Sequence, residues 1–150
     1  MGDYISQQDL LDELGEPMLI QLTDNAKPRA NAIDPARVAK AIAFAEGTFN
    51  AYARTRYTVP VPATVMVKAV CLDLAIYQLR RDRSSSSDGS EKLRKDLYDP
   101  HIKFLQALQR GTAALDVPAT EETETNPVSP DRILSGSSRT VFTDDKLGNY

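Results

Sequence analysis

The sequence predicts a mostly α protein: a small helical bundle with an extended C-terminal arm. Three features lead there. Apolar residues recur three and four positions apart through most of residues 5–111, the period of a helix face turned to a core. Residues that start and stop helices stand at the ends of those stretches. Beyond Val117 the period ceases, and Pro118, Pro127 and Pro130 punctuate a polar, acidic stretch.

Ser6 with Asp9 three positions on forms a capping box in which Asp replaces the usual Glu, so a short helix is expected over Gln7–Leu14, stopped by Gly15. Pro17 suits the first turn of a second short helix, Met18–Leu22. Thr23–Asn31 is polar, holds Pro28 and reads as a loop. Asp34-Pro35 combines a capping side chain with a proline at the first helical position. From there Val38, Ile42, Ala45, Phe49 and Tyr52 share one face of a helix about 20 residues long, with Arg37, Lys40 and Asn50 opposite.

Tyr57–Pro62 is an extended connector, because residues before proline avoid the helical region. Ala63–Leu79 is apolar around most of its circumference. A β-branched run of this kind could form a strand, but its length and the charges at Lys68 and Asp73 favour a central helix touched on several sides, with Val65–Leu79 at the middle of the body. Arg80, Arg81 and Arg83 mark its end, and Ser84–Ser87 with Asp88-Gly89 reads as a flexible loop. Ser90 is placed to cap the last long helix, whose stripe is Leu93, Leu97, Phe104, Leu105 and Leu108 and whose stop is Gly111. An interior proline costs ~3 kcal/mol; Pro100 is expected to kink this helix rather than end it.

Residues 1–116 are thus read as a helical body, 117–138 as a linker and 139–150 as a docking arm. Linker and arm bury too little apolar area to offset their ordering entropy alone. Arg139, Val141, Phe142, Leu147 and Tyr150 are the arm's expected interface residues. Arg139–Phe142 has the β propensity to add a strand to a neighbour.

The net charge is −3, and all of it lies in the tail: residues 1–116 hold 15 acidic and 15 basic side chains, residues 117–150 six and three. A neutral body with an acidic tail is a poor autonomous nucleic-acid binder, since neutralising phosphate needs clustered Lys and Arg. Cys71 is the only cysteine, which excludes an intramolecular disulfide, and its apolar setting reads as an inert buried thiol. The N-terminus lacks the basic and apolar regions of a signal peptide. The run Val59–Leu79 is broken by Pro60, Pro62, Lys68 and Asp73 and is too polar to cross a membrane. A soluble protein of a reducing compartment is expected.

Catalytic chemistry has little material. His101 is the one histidine, expected on the surface of a charged helix without an acid partner. There is no HExxH, CxxC, GxGxxG or GxxxxGK[ST]. Nothing desolvates the tail pairs Glu121-Glu122 and Asp144-Asp145 so as to shift their pKa. The chain is read as a non-enzyme without metal or cofactor. Two basic sets remain: Arg54 with Arg56, and Arg80 with Arg81 and Arg83. Complementarity to helix dipoles accounts for cations at helix ends; contact with an acidic partner or with passing DNA is the functional alternative.

Certain residues carry a resemblance. Tyr4, Asp9-Leu10, Gly15-Glu16 and Leu22-Thr-Asp24 are followed by Ala41-x-x-x-Ala45, Tyr52 and Arg56-Tyr57-Thr-Val-Pro60. Asp73-Leu-Ala-Ile-Tyr77-Gln-Leu79, Tyr98, Leu105 and Gly111 come next, and the chain ends Phe142-Thr-Asp-Asp-Lys-Leu147-Gly-Asn-Tyr150. This resembles the head–tail connector (head-completion or adaptor) family of Mu-like tailed bacteriophages over residues 1–115 and roughly 139–150; Ala119–Gly136 matches nothing in it, and Pro100 departs from its uninterrupted helix. The resemblance implies a structural virion protein of the neck, assembled in the host cytoplasm into a ring, commonly a dodecamer, beneath the portal protein. Its other partners would be a tail-side connector or tail terminator, and packaged DNA passing without sequence-specific binding. No membrane is implied. The alternative is a small DNA-binding packaging or regulatory module. A reading helix should then be basic on its exposed face, and none here is.

Overall fold

The computed structural model describes residues 2–84 and 87–117, without the side chain of Ser87. All that is expected of residues 118–150, including Arg139, Val141, Phe142, Leu147 and Tyr150, lies outside the described residues. Those described are helical, with no strand among them.

The local signals act as they should. At the start of α1 (Gln7–Leu14), the Ser6 N–H donates to the Asp9 carboxylate at 2.7 Å, and the Asp9 N–H donates to the Ser6 hydroxyl at 3.3 Å. Gly15, at φ +77°, closes α1 and opens α2 (Glu16–Thr23), which is slightly longer at both ends than expected. Asp34 accepts the N–H groups of Ala36 and Arg37 at the head of α3 (Pro35–Ala53). Thr64 accepts from Val67 at the head of α4 (Val65–Arg83).

α3 and α4 are the centre of the bundle and run antiparallel: Lys40, near the start of α3, pairs with Asp82, near the end of α4, at 3.1 Å. Val38, Ala41, Ile42, Ala45 and Phe49 are buried on the α3 side, and Val67, Val70, Cys71, Leu74, Ala75 and Leu79 on the α4 side. The central position expected for Val65–Leu79 is corrected at its beginning. Val65 is 87% exposed and Met66 43%, because these two positions face away from the core while Val67, in the same turn, is wholly buried.

Two further corrections concern the last third of the body. Asp88-Gly89 does not form a loop but lies in α5 (Ser87–Leu93), so Ser90 is inside a helix and caps nothing. The helix expected to kink at Pro100 passes into a π turn over Arg94–Tyr98 and resumes as α6 (Asp99–Arg110). The Asp99 N–H reaches back five residues to the Arg94 carbonyl. Pro100 then sits in the first turn of α6, where its missing N–H is not needed. No coil intervenes. Leu105 and Leu108 are buried, Leu93, Leu97 and Phe104 half-buried, and Gly111, at φ +81°, ends the helix as expected.

Sequence reasoning did not foresee Glu46. It lies on the buried side of α3 and is only 8% exposed. Its carboxylate accepts the backbone N–H groups of Asp3, Tyr4 and Ile5, at 3.0, 2.7 and 3.1 Å. A side chain at Gly2 would run into this carboxylate and into Ile42. Tyr4, so held, sets its ring edge-on to Phe49 with centroids 5.2 Å apart. Its hydroxyl donates to Asn50 Oδ1 at 2.5 Å and accepts the Val61 N–H at 3.1 Å. One short N-terminal segment therefore ties α3 to the connector before α4.

Glu46→Ala would leave two buried N–H groups and one half-buried one without an acceptor. It should lower stability on the order of 3 kcal/mol in urea unfolding, and Glu46→Gln, which keeps an acceptor oxygen, by less. Cys71 is wholly buried, and burial, assisted by the negative Glu46, pushes its thiol up to about 12. A thiol reagent at pH 8 should leave the native protein untouched and titrate one group after unfolding. Reaction of the native thiol would show that this core is open.

Candidate functional site

The five body arginines singled out from the sequence do not form one patch. The antiparallel pairing of α3 and α4 puts Arg54 and Arg56 at one end and Arg80, Arg81 and Arg83 at the other. Arg54 stands roughly 20 Å along α3 from Lys40, the residue that pairs beside the second set. Arg54 Nε donates to the Asn50 carbonyl of its own helix at 3.2 Å, as dipole complementarity requires. The Arg56 guanidinium lies against Gly111 at the end of α6, where a Cβ would collide with it.

The second set has a richer setting. Arg83 donates to the Asp24 carbonyl at 3.1 Å and to the side-chain carbonyl of Asn25. Arg81 lies over the rings of Phe44 and Tyr77, at 5.4 and 5.7 Å. Tyr77 in turn stacks on Tyr98 at 4.8 Å. Arg80 is exposed and makes no ion pair among the described residues.

The partner of Arg83 is the loop after α2. The Asp24 carboxylate accepts the Ala26 N–H at 3.0 Å and the Asn31 N–H at 2.8 Å, and Asn31 takes up φ +51°, which Asn tolerates well. The chain turns back on itself and exposes Lys27 and Arg29 beside Arg83, around a shallow depression of about 590 Å³. Sequence reasoning passed over Lys27 and Arg29 as ordinary loop residues. Their signal was two bases in a polar loop that an Asp could fold back on itself.

His101 is also corrected. Its Nε2 lies 2.8 Å from Asp73 Oδ2 with its side chain 23% exposed, so it clamps α6 to α4. A separation of 28 positions hid that acid from a linear reading. Among the described residues no three His, Cys, Asp or Glu side chains stand close enough to hold a metal ion. No helix there is long and apolar enough to cross a membrane. Exposed aliphatic surface is found at Met18, Val65 and Met66.

Comparison with known proteins now decides the family. The model of the family described as "Bacteriophage Mu, Gp36" matches residues 4–131, most of the chain. The chain belongs to the bacteriophage Mu Gp36 family. It is also similar to the Mu-like prophage FluMu protein gp36 of Haemophilus influenzae (strain ATCC 51907 / DSM 11121 / KW20 / Rd), with 30% identity over 99 residues. That match spans 64% of each chain. No solved structure gives a significant match.

Several residues of the resemblance have structural work in this Gp36-family body. Tyr57 is buried, and its hydroxyl accepts the Leu115 N–H at 3.0 Å, pinning the end of the body to the connector. Tyr4 and Tyr77 are held by the ring contacts above.

Two carboxylates give the body a pH dependence. Asp9 is held below its ordinary value of 3.8, first by the Ser6 hydroxyl and then by the Ser6 N–H. For Asp24, burial pushes upward, but the N–H groups of Asn31, Ala26 and Ala30 together outweigh it, and its value too is lowered. Both groups therefore contribute stability that is present above about pH 4 and lost as pH falls through their depressed values. Asp9→Asn and Asp24→Asn should each flatten the acid limb of a melting-temperature profile while narrowing the gap to wild type at pH 2. An unchanged limb would show that these contacts do not persist in solution.

Proposed function

We propose that this protein is a structural virion component of a Mu-like phage, a head–tail connector. Copies of it would form a ring beneath the portal protein and join the DNA-filled head to the tail, without a catalytic role. The observation that carries the reading is a helical body whose core closes within one chain, yet which leaves aliphatic side chains at the head of α4 and, among the described residues, an exposed Arg80 without an ion pair at its end. Such leftover surface suits a subunit that is completed by others. Membership of a Mu phage family supplies the setting. In this reading the partners are other copies of the chain, the portal and a tail-side connector or terminator, with DNA passing through the channel. The place is the virion neck, reached from the host cytoplasm.

The basic loop and helix end favour one other reading, a small DNA-binding packaging or regulatory module. Particle mass separates the two. The connector reading expects a closed oligomer of single stoichiometry, and phage heads lacking the protein that accumulate unjoined to tails. A monomer at every concentration, with infectious particles formed in its absence, would overturn it.

The arm gives a second expectation. Deleting residues 139–150 should leave helical circular dichroism unchanged but prevent heads from joining tails. Normal joining would sink the docking-arm reading, and loss of the helical signal would make the segment part of the subunit's own core.

A further inference from the structure

The even charge balance of residues 1–116 conceals a separation that the fold makes spatial. Residues 1–26 contain six acidic side chains and no Lys or Arg. Residues 27–83 contain ten bases and four acids. Two hydrogen bonds and an ion pair bring the end of α2, the loop after it, the start of α3 and the end of α4 to one end of the bundle: Arg83 to Asp24, Asp34 to Thr23, and Lys40 to Asp82. Those four segments hold seven bases and three acids, and α5, which follows α4, adds Asp88 in its first turn.

Arg37 and Lys40 are paired with Asp34 and Asp82. Lys27, Arg29, Arg80, Arg81 and Arg83 have no carboxylate within ion-pair distance among the described residues. Both oxygens of nearby Asp24 are already taken by backbone N–H groups. Arg29 feels the Asp24 charge without reaching ion-pair distance, so this end is a lip with an excess of positive charge.

The opposite charge lies elsewhere on the body. Asp9, in the first turn of α1, stands 3.9 Å from Lys68 in the first turn of α4. Asp12, Glu13 and Glu16 follow along α1 and into α2, all exposed and none in an ion pair among the described residues. Lys68 is roughly 22 Å along α4 from Arg83. Val65 lies one turn before Lys68, so exposed aliphatic surface adjoins this acidic flank. Glu16 opens α2, about 12 Å of helix from Asp24 at the lip, and among the described residues no ion pair joins lip to flank within one copy.

We infer that the lip of Lys27, Arg29 and Arg80 on one copy seats against the Asp12, Glu13 and Glu16 flank of the next. The pairing is head-to-tail, and a heterologous contact of this kind closes into a ring when its rotation allows. The occupant is a second copy because the two surfaces are complementary in charge and carried by the same chain. The inference rests on the ring reading above and names the contact that builds the ring.

Two variants test it: Lys27→Glu/Arg29→Glu/Arg80→Glu, which reverses the lip, and Asp12→Lys/Glu13→Lys/Glu16→Lys, which reverses the flank. All six side chains are exposed, so both variants should keep the wild-type circular dichroism. Mass is measured by sedimentation at low and high salt. Each variant alone should assemble roughly a hundredfold more weakly than wild type, because like charges then face each other. Mixing the two should restore the closed oligomer, since lip and flank again differ in sign at every contact. High salt should weaken the wild-type oligomer.

Variants that assemble as wild type does would overturn the pairing while leaving the ring reading intact. So would a mixture that stays monomeric, or a wild-type particle that stops at a two-fold dimer. If reversing the lip abolished retention of duplex DNA but left assembly unchanged, the lip would be a phosphate-binding surface and the inference would fail. A wild-type chain that is monomeric under all conditions would sink the ring reading itself.

Discussion

A carboxylate on the inner face of α3 sets the terms for the rest of the body. A buried charge is costly unless it is hydrogen-bonded, and Glu46 finds its donors in the backbone of residues 3–5. The core between α3 and α4 can close over this charge only when the N-terminal segment is seated. Seating it also places Tyr4, which packs on Phe49 and, through one hydroxyl, holds both Asn50 and the Val61 N–H. The connector that turns the chain from α3 into α4 is therefore fixed by a residue near the chain's beginning. Gly2 completes the arrangement because any larger residue would occupy the carboxylate's space. A polar contact of this kind contributes less to stability than the apolar core around it, but it specifies which segment lies where.

The same topology sorts the charges. An antiparallel α3–α4 pair carries the start of one helix to the end of the other, so Lys40 meets Asp82 and the arginines at the end of α4 join the loop before α3. Because α1 enters beside the head of α4, its acids are held away from that end. A body with no net charge thus has strongly unlike surfaces. Neutrality in total and polarity in arrangement are compatible, and only the second bears on association.

Where a signal was local, the sequence carried it. The Ser6–Asp9 box, Asp34-Pro35, the period from Val38 to Phe49 and the stop at Gly111 are each written within one or two turns of chain. What depended on distant residues was hidden. Glu46 falls at a position that helical periodicity allows for the buried face, but a charge there makes sense only once the amides of residues 3–5 are near. His101 looked solitary because Asp73 lies on another helix. Pro100 conflicted with an apolar stripe that crossed it, and a π turn resolved the conflict, since one extra residue per turn shifts the register before the proline. Ser90 looked like a cap because the bases and serines before it resembled a loop, yet the helix begins at Ser87. The lip was missed for a different reason: charge was summed along the chain, and the balance of residues 1–116 concealed where its members would meet.

A charged contact between copies also answers a problem of assembly that an apolar one would create. A subunit with a large sticky face would associate with itself wherever it was made, and exposed apolar patches of that size are aggregation liabilities. Among the described residues the exposed large aliphatics are Met18, Val65 and Met66, and the body keeps a finished core. Opposite charges on separate surfaces steer encounter and fix orientation while adding modest affinity per contact. In the proposed ring that modesty is useful, because each subunit engages two neighbours at once. Once one contact has formed, the closing contact gains from effective concentration rather than from new interactions. Subunits whose single contacts are weak would then hold firmly once the circle is closed, and a partner surface such as a portal would further favour the closed form. Strong pairwise association would instead deplete the subunits into open chains before a head was ready to receive them. The separation of charge over the body is therefore better matched to ring closure than to a stable two-fold dimer.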